Sequence, residues 1–453
     1  MPRRVCPSVL LLAGTIMLAA ACSRKQPQVT IAPAPLDDSS RAALRWVESH
    51  RMPLAMLDSA RPAADRAPLL AFVGNARVLG VSELTEGTHE FPRIMQQVLR
   101  LLGADAGFRG IAVQAPMPEA MDLDRYVRTG IGAPRELLRT LGARWDTQEV
   151  LALVEWLHAY DRGRPAAEQI GFFGFELPNA THAVNVVTGL PDSIAGTALH
   201  AWLRRELQCV AVGESANWGR EGAASDSSFW THCRVVARAV VDSLTALGAR
   251  VQPGARAERV GFATRMARVL QHYVAVGLRH LPREETVAEH VLWLADSLGG
   301  GGRLLEWGGD VEAGRLTLQG QVVQSAVPLA RTLGDRYRNL AFTIGEGTIR
   351  ARPIAPGQQE PGGERNIAVR IPTAGSYENM LNRVPVEAFF LDLRVLPPDT
   401  AGAWLKGPRP MRLISGVYTA AVPQAFETPL EFPANFDGLL FLRRATPAVR
   451  LRH

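Results

Sequence analysis

Short apolar runs alternate along this chain with longer segments in which apolar residues recur every three or four positions. The short runs predict buried strands, and the longer segments predict amphipathic helices. Ile94, Val98 and Leu101, for example, fall on one helical face. The predicted strands are residues 76–81, 110–113, 170–175, 304–307, 340–344, 388–393 and 439–442. Strands separated by helices of this length favour βαβ units and a mostly parallel, helix-flanked sheet.

The strand pattern stops between residues 192 and 298, where helical periodicity dominates. We therefore predict a large helical insertion that packs over one edge of the sheet. A loop rich in Pro, Gly and Gln is expected at residues 355–364. Residues 39–453 thus form one expected α/β domain, with 192–298 as its insertion.

The N-terminus has the features of a bacterial lipoprotein signal. Arg3 and Arg4 precede an apolar stretch that ends in Ala-Ala-Ala-Cys22, so residues 1–21 are predicted to be cleaved and Cys22 to carry lipid. The alternative is an ordinary secretory signal with an incidental cysteine. Ser23 favours outer-membrane sorting, and the Pro-rich segment 22–38 suits a tether. We expect a protein of the bacterial envelope, anchored to the membrane through lipid and facing the periplasm.

Composition narrows the classes of partner. The chain has 453 residues, 47% hydrophobic and 21% charged, with a formal net charge of +6. Its arginines are scattered rather than clustered, so no nucleic-acid partner is expected. Cys209 and Cys233 could pair in an oxidising compartment or remain buried thiols. No cysteine or histidine spacing indicates zinc.

The segment V-L-G-V-S-E-L-T-E-G-T-H-E-F, residues 78–91, carries the densest group of ionisable side chains. It lies where a predicted strand ends and a helix begins, and Glu83, Glu86, His89 and Glu90 fall in or beside the turn. Ligands of open α/β sheets bind outside the carboxyl ends of the strands. The turn is therefore a candidate functional site.

This segment resembles the signature of the erythromycin esterase family, which reads G-E-x-T-H-G-T-H-E-F. Further segments resemble the family in order along the chain: G-F-R-G-I-A-V-Q at 107–114, M-D-L-D-R-Y-V-R-T-G at 121–130, R-E-E-T-V-A-E-H-V-L-W-L at 283–294, L-A-F-T-I-G-E-G-T at 340–348, G-S-Y-E-N-M-L at 375–381, F-F-L-D-L-R at 389–394 and F-D-G-L-L-F-L at 436–442. The resemblance implies hydrolysis of a macrolide lactone by water that a histidine-rich, carboxylate-supported site activates.

Several family positions are substituted. Glu83 keeps the first carboxylate, but the principal histidine falls on Glu86 and a family arginine falls on Met95. The strand-end glutamate falls on Gln114. The family's W-A-H-N-x-H reads W-G-G-D-V-E here, which places Gly309 and Glu312 at two further histidine positions.

The remaining polar residues define the expected site. Glu83, Glu86 and Glu312 are the candidate catalytic residues, and the expected pocket residues are His89, Gln114, Glu176 and Asp310. In the family, the position of His89 lies in the turn but is not the base, and we expect a structural hydrogen bond from it. The carboxylates could act as a base or hold a divalent cation. They could also face solvent in a site that has lost its chemistry. No spacing matches a metal motif, so no metal or cofactor is predicted.

Three functions remain open from the sequence. The first is hydrolysis of an ester or lactone through Glu83 and Glu86. The second is a non-catalytic binding protein for an apolar cyclic or acyl small molecule, and the third is a structural envelope lipoprotein. Convergence of Glu83, Glu86 and Glu312 on one site would favour the first two. We expect macrolide esterase activity to be absent or very low, because every family imidazole of the catalytic set is replaced.

Overall fold

The computed structural model describes residues 35–57, 66–177, 180–210, 227–277, 281–298, 301–318, 321–322, 324–355 and 357–453. The predictions for the signal segment 1–21, for Cys22 and for most of the tether 22–38 lie outside these residues. From Leu36 to His453 the chain forms one compact unit.

Fourteen strands occur in the described residues. They are β1 Met52–Pro53, β2 Val78–Glu83, β3 Phe108–Pro116, β4 Gly171–Glu176, β5 Arg303–Gly309, β6 Thr317–Leu318, β7 Gln321–Val322, β8 Tyr337–Pro353, β9 Arg365–Val369, β10 Ala388–Asp392, β11 Arg409–Arg412, β12 Val417–Tyr418, β13 Glu427–Leu430 and β14 Gly438–Ala445. Each of the seven predicted strands has a counterpart. The short strands β1, β6, β7, β9, β11, β12 and β13 were not predicted.

Helices lie between these strands. Their bounds in the described residues are α1 Asp38–His50, α2 Ala67–Val73, α3 Glu90–Asp105, α4 Met117–Thr129, α5 Pro134–Thr140, α6 Gln148–Asp161, α7 Thr181–Thr188, α8 Asp192–Ala195, α9 Thr197–Glu206, α10 Ser227–Gly248, α11 Ala255–Gly277, α12 Arg283–Ser297, α13 Ala326–Leu333, α14 Tyr377–Leu381, α15 Thr400–Lys406 and α16 Phe432–Asn435. None of the helices in this part of the chain combines the length and apolar character needed to cross a membrane.

The strands form a ten-stranded sheet whose main path runs β1-β10-β14-β8-β2-β5-β3-β4. Every neighbouring pair from β14 to β4 is parallel. The prediction of a mostly parallel, helix-flanked α/β sheet is therefore confirmed. The antiparallel pairs of β1, β10 and β14 at one side of the sheet were not predicted, because side-chain periodicity does not encode strand direction.

The central strands are buried almost throughout, which explains their continuous apolar runs. All six residues of β2 are buried, and Glu83, its last residue, pairs in register with Gly309 of β5. The strands extend further than the sequence pattern indicated, since the apolar periodicity ends before the backbone pairing does. As a result, Glu83 and Gln114 belong to strands rather than to the turns beyond them.

Between residues 192 and 298 the described chain contains helices α8 to α12 and no strand. Helix α12 packs against β3, β4 and β5, which brings its first residue, Arg283, to the carboxyl ends of these strands. Cys209 and Cys233 form a disulfide, with their Cα atoms 5.6 Å apart. The pairing, which the sequence left open, links the segment after α9 to helix α10.

Candidate functional site

Four neighbouring strands end at one edge of the sheet in the order β2, β5, β3 and β4. Because parallel strands direct their carboxyl ends to the same side, Glu83, Gly309, Gln114 and Glu176 meet there. The turn after β2 adds Glu86, and the turn after β5 adds Asp310 and Glu312.

Arg144, in the loop between α5 and α6, joins the first pair of carboxylates. Its Nη2 lies 2.9 Å from Glu83 Oε2, and its Nη1 lies 3.1 Å from Glu86 Oε1. The Glu83 side chain is only 4% exposed, whereas that of Arg144 is 20% exposed. The guanidinium therefore neutralises two nearly buried carboxylates and keeps part of its surface open to a ligand.

Arg283 joins a second pair on the other side of the site. It donates hydrogen bonds to Glu176 from Nη2 and Nε, and its Nη2 lies 3.2 Å from Glu312 Oε2. Ser325, just before α13, donates from Oγ to Glu312 Oε1 at 2.8 Å. Glu312 is thus held by a cation and by a hydroxyl.

Gln114 connects the two pairs through its amide. Its Oε1 accepts from Arg144 Nη1 at 3.3 Å and from the Gly309 backbone N–H at 2.7 Å. Its Nε2 donates to Glu176 Oε1 at 3.1 Å and to Glu312 Oε2 at 3.3 Å. An ionised glutamate at this position would have no proton to donate to these two carboxylates. The amide thus suits the acidic surroundings.

Burial is the main electrostatic influence on these carboxyl groups, because it disfavours their charged form. It raises the pKa of Glu83 to about 7, although the Arg144 charge opposes this shift and the nearby Glu86 adds to it. Burial also raises the pKa of Glu86, with Arg144 opposing, and the pKa of Glu312, with Arg283 opposing. A carboxyl with a pKa near 7 can exchange a proton with water at neutral pH.

A further carboxyl lies beneath Glu312. Glu306 of β5 is fully buried, and burial raises its pKa to about 8. Its Oε1 lies 3.3 Å from Ser325 Oγ, the same hydroxyl that contacts Glu312, and its Oε2 lies 3.5 Å from the Tyr337 hydroxyl. With this pKa Glu306 is mostly protonated at pH 7, and it shares a hydroxyl with the site above it.

Asp310 lies at the turn after β5 in a left-handed backbone conformation, with φ of 48°. Non-glycine residues rarely adopt this conformation, and aspartate is one of those that do. Burial raises the pKa of Asp310, and the charge of Asp310 in turn raises that of Glu86. Asp310 thus lies beside the Glu83–Arg144–Glu86 group.

His89 has a different set of partners from the carboxylates above. Its Nδ1 lies 2.6 Å from Glu149 Oε1 on α6, and its Nε2 lies 3.1 Å from Arg93 Nη1 on α3. Its backbone N–H donates to the Thr446 carbonyl. These contacts tie the turn to α6 and to the C-terminal segment, as a structural role for His89 requires. None of them reaches the central carboxylates.

The structure therefore brings Glu83, Glu86, Glu312, Gln114, Glu176 and Asp310 together, whereas His89 contacts Glu149, Arg93 and Thr446. Among the described residues, no group of three or more His, Cys, Asp or Glu side chains has a geometry that could hold a metal ion. Arg144 lies between Glu83 and Glu86, and Arg283 lies between Glu176 and Glu312. The two guanidiniums thus supply the positive charge that a bound cation would supply in a metal site. Arg144 was missed as a site residue because nothing in its local sequence marks it, whereas Arg283 stands first in the family-like segment 283–294 and could have been found from that resemblance.

Comparison with known proteins agrees with this architecture. The family model for erythromycin esterase matches residues 104–445, which is more than half of the chain. The chain belongs to the erythromycin esterase family. The fold and the family resemblance of the sequence are thereby confirmed.

A relative from Escherichia coli, described as erythromycin esterase type II, is 26% identical over 133 residues. That stretch covers 29% of this chain and only 31% of the relative's length, so the relative's activity does not transfer directly.

Three solved structures share the fold. A Bacillus cereus protein matches with a TM-score of 0.76 and a sequence identity of 18%. A protein described as a succinoglycan biosynthesis protein matches with a TM-score of 0.76 and a sequence identity of 20%. Each of the two matches covers 92% of this chain and 100% of the other. A histidine-to-asparagine mutant of the erythromycin esterase EreC, in its open conformation, has 0.63 at 15%, over 88% of this chain and 98% of that one. At these identities the similarity establishes the fold alone.

Proposed function

We propose that this member of the erythromycin esterase family has an altered site and hydrolyses carboxylic esters other than macrolide lactones, with Glu83 as the group that activates water. The observation that carries the proposal is the Glu83–Arg144 pair, a nearly buried carboxylate and a partly exposed guanidinium 2.9 Å apart at the carboxyl end of β2. Retaining such a pair in the interior costs desolvation energy, and so function is a better explanation for it than stability.

In this reaction the oxygen of a water molecule attacks the ester carbonyl carbon, and Glu83 accepts the proton of that water. The negative charge that develops on the carbonyl oxygen needs a positive partner. The partly exposed guanidiniums of Arg144 and Arg283 are the candidates for this role. Collapse of the intermediate breaks the ester C–O bond, and the alcohol leaves with the proton that Glu83 returns.

Macrolide lactones remain poor candidates for the substrate. A Cβ atom at Gly309 would overlap Glu86 Oε1 and Arg144 Nη1, so a side chain at this position would require the Glu86–Arg144 pair to move. Restoring a histidine by Glu86→His alone would also leave Met95, Gln114, Gly309 and Glu312 in place. We expect absent or very low hydrolysis of erythromycin by the wild type and by this variant.

A pH profile with a small chromogenic substrate such as p-nitrophenyl acetate tests the catalytic proposal. We expect kcat/KM to rise with pH through about 7, because only ionised Glu83 can accept a proton. Glu83→Gln should lower kcat/KM by about 10²–10⁴-fold, the usual contribution of general-base catalysis. The matched control is Glu136→Gln, which changes a half-exposed carboxylate on α5 and should leave kcat/KM unchanged. Turnover that survives Glu83→Gln would contradict the assignment.

A binding protein without catalysis is the second candidate. It is favoured by the contacts of Arg144 and Arg283, since each already pairs with two carboxylates and needs no further reaction partner. Such a protein would hold an apolar cyclic or acyl small molecule. An increase in melting temperature with erythromycin or a medium-chain fatty acid, combined with no ester turnover, would favour this candidate.

We further propose that the protein is anchored through lipid on Cys22 and faces the periplasm, most simply at the outer membrane. The Ala-Ala-Ala-Cys22 sequence supports the anchor. The Cys209–Cys233 disulfide supports an oxidising compartment. Mass spectrometry of the membrane fraction should find a diacylglyceryl group on Cys22. A soluble mature chain that starts at another residue would disprove the anchor.

A further inference from the structure

A second cleft, on the helical insertion, has a different character from the carboxylate site. It lies between α10 and α11 and has a volume of about 480 Å³. Three arginines line it: Arg234 and Arg238, one turn apart on α10, and Arg268 on α11. The described residues that line this cleft include no carboxylate.

The protein neutralises this positive charge only in part, chiefly through Glu289 on α12, whose carboxylate interacts with Arg268 and lies 3.3 Å from Nε2 of His272 in the cleft lining. Arg238 Nε lies 3.9 Å from Asp242 Oδ2, and both side chains are at least 70% exposed, so the pair is weak. Arg268 donates to the neutral amide of Gln271. Arg265, a buried neighbour on α11, interacts with Glu289 more strongly than it is repelled by Arg268. The guanidiniums of Arg234, Arg238 and Arg268 are exposed, so an anionic ligand could still pair with them.

The rim of the cleft is apolar at two points. Val235 is 60% exposed and Leu281 is 43% exposed, and both line the cleft. Single exposed apolar residues are common on protein surfaces. Apolar side chains next to several basic ones, however, are the combination found on surfaces that lie in the headgroup region of a membrane.

We propose that the cleft between α10 and α11 binds the phosphate-bearing headgroup of an anionic phospholipid, with Arg234, Arg238 and Arg268 around the phosphate and Val235 and Leu281 directed to the acyl boundary. The arginines supply bidentate donors that match phosphate oxygens. The volume of the cleft accommodates a headgroup. A free inorganic ion would make no contact with the apolar rim, whereas the acyl chains of a phospholipid would. The inference depends neither on the carboxylate site nor on Cys22.

The test uses residues 36–453, the compact unit, which carries no lipid of its own. Vesicles of phosphatidylglycerol and of phosphatidylcholine are sedimented with the wild type and with the triple variant Arg234→Gln, Arg238→Gln, Arg268→Gln. The matched control is Arg135→Gln, Arg162→Gln, Arg250→Gln, which removes the same charge at exposed positions elsewhere. Inorganic phosphate is titrated into each protein by calorimetry, and circular dichroism verifies folding.

We expect the wild type to bind phosphatidylglycerol vesicles and not phosphatidylcholine vesicles. A basic residue near an anionic surface contributes about fivefold in affinity, so the cleft variant should bind at least about tenfold more weakly. The control should bind within about twofold of the wild type. Val235→Ser with Leu281→Ser should weaken vesicle binding as well, because the acyl contact is lost.

Three outcomes would overturn the proposal. The first is equal loss of binding in the cleft and control variants, which would mean attraction by net charge alone. The second is absence of vesicle binding by the wild type. The third is arginine-dependent binding of inorganic phosphate without preference for vesicles, which would make the cleft a site for a free ion.

Discussion

At the scale of single residues, the polar positions of the site depend on one another. The family resemblance implies histidines at Glu86 and Gly309, and a Cβ atom at Gly309 would overlap the side-chain ends of Glu86 and Arg144 as they lie here. Gln114 supplies the N–H groups that the neighbouring carboxylates accept. Its Oε1 also accepts hydrogen bonds from Arg144 and from the Gly309 backbone. The residues form a polar network of charges and amide groups.

The first prediction concerns Arg144. Arg144→Met should lower the free energy of unfolding at pH 8 by about 3–5 kcal/mol, because it leaves Glu83 and Glu86 buried without their cation. In a Glu83→Gln, Glu86→Gln background the same change should cost much less. Urea unfolding of the four proteins measures the coupling. Arg139→Met, at an exposed position, is the control, and additive effects would contradict the network.

At the scale of secondary structure, the turn between β2 and α3 is held by segments far away in sequence. Gly87 has a φ of 84°, and a Cβ atom at this position would overlap the backbone carbonyl of Arg350. The carbonyl of Gly87 accepts hydrogen bonds from the backbone N–H groups of Arg350 and Ala448. Glu149 binds both His89 and the backbone of Val449. The C-terminal segment thereby positions the signature turn that carries Glu86.

The second prediction concerns the helical insertion. Removing the disulfide by Cys209→Ser with Cys233→Ser should lower the free energy of unfolding by about 3 kcal/mol, since the bond closes a loop with a sequence separation of 24. Thermal unfolding monitored by circular dichroism measures the change. Dithiothreitol should lower the melting temperature of the wild type and leave that of the double variant unchanged. An equal response of both proteins would show that no disulfide forms.

At the scale of the whole molecule, buried carboxyl groups couple stability to pH. The pKa of Glu306 is about 8 in the folded protein, above its ordinary value of 4.5. Between these values the folded state binds more protons than the unfolded state, and stability therefore falls as pH rises. The contribution of Glu306 is fully present below pH 4.5 and is lost as the pH passes through about 8.

The third prediction follows from this sign. Glu306→Gln keeps the shape of the neutral side chain but cannot ionise. The wild type should therefore lose stability relative to this variant as the pH is raised from 5 to 9, so the free energy of unfolding of the variant minus that of the wild type should increase. The limiting slope is about 1.4 kcal/mol per pH unit. Urea unfolding at several pH values measures the difference, with the exposed Glu136→Gln as control. A difference that does not change with pH would mean that Glu306 is already ionised.

The amino-acid sequence determined the parallel α/β core, because buried strands and amphipathic helices leave distinct periodicities in the chain. It also indicated that Glu83, Gln114 and Glu176 lie at or just beyond strand ends, and it left open whether the site side chains converge. Tertiary structure alone decided which charges meet. Arg144 lies 61 residues from Glu83 and Arg283 lies 107 residues from Glu176, distances over which no local pattern operates.

The antiparallel side of the sheet, the Cys209–Cys233 pair and the shifted pKa values of Glu83 and Glu306 likewise became visible only in the folded chain. An unperturbed carboxylate, with a pKa of about 4, would be a weak base at neutral pH. A pKa depends on burial and on the nearest charges, and both are set by segments that fold together from distant parts of the chain. Residue types therefore led us to expect the loss of imidazole, while packing determined the burial and the charged partners of the carboxylates at the site.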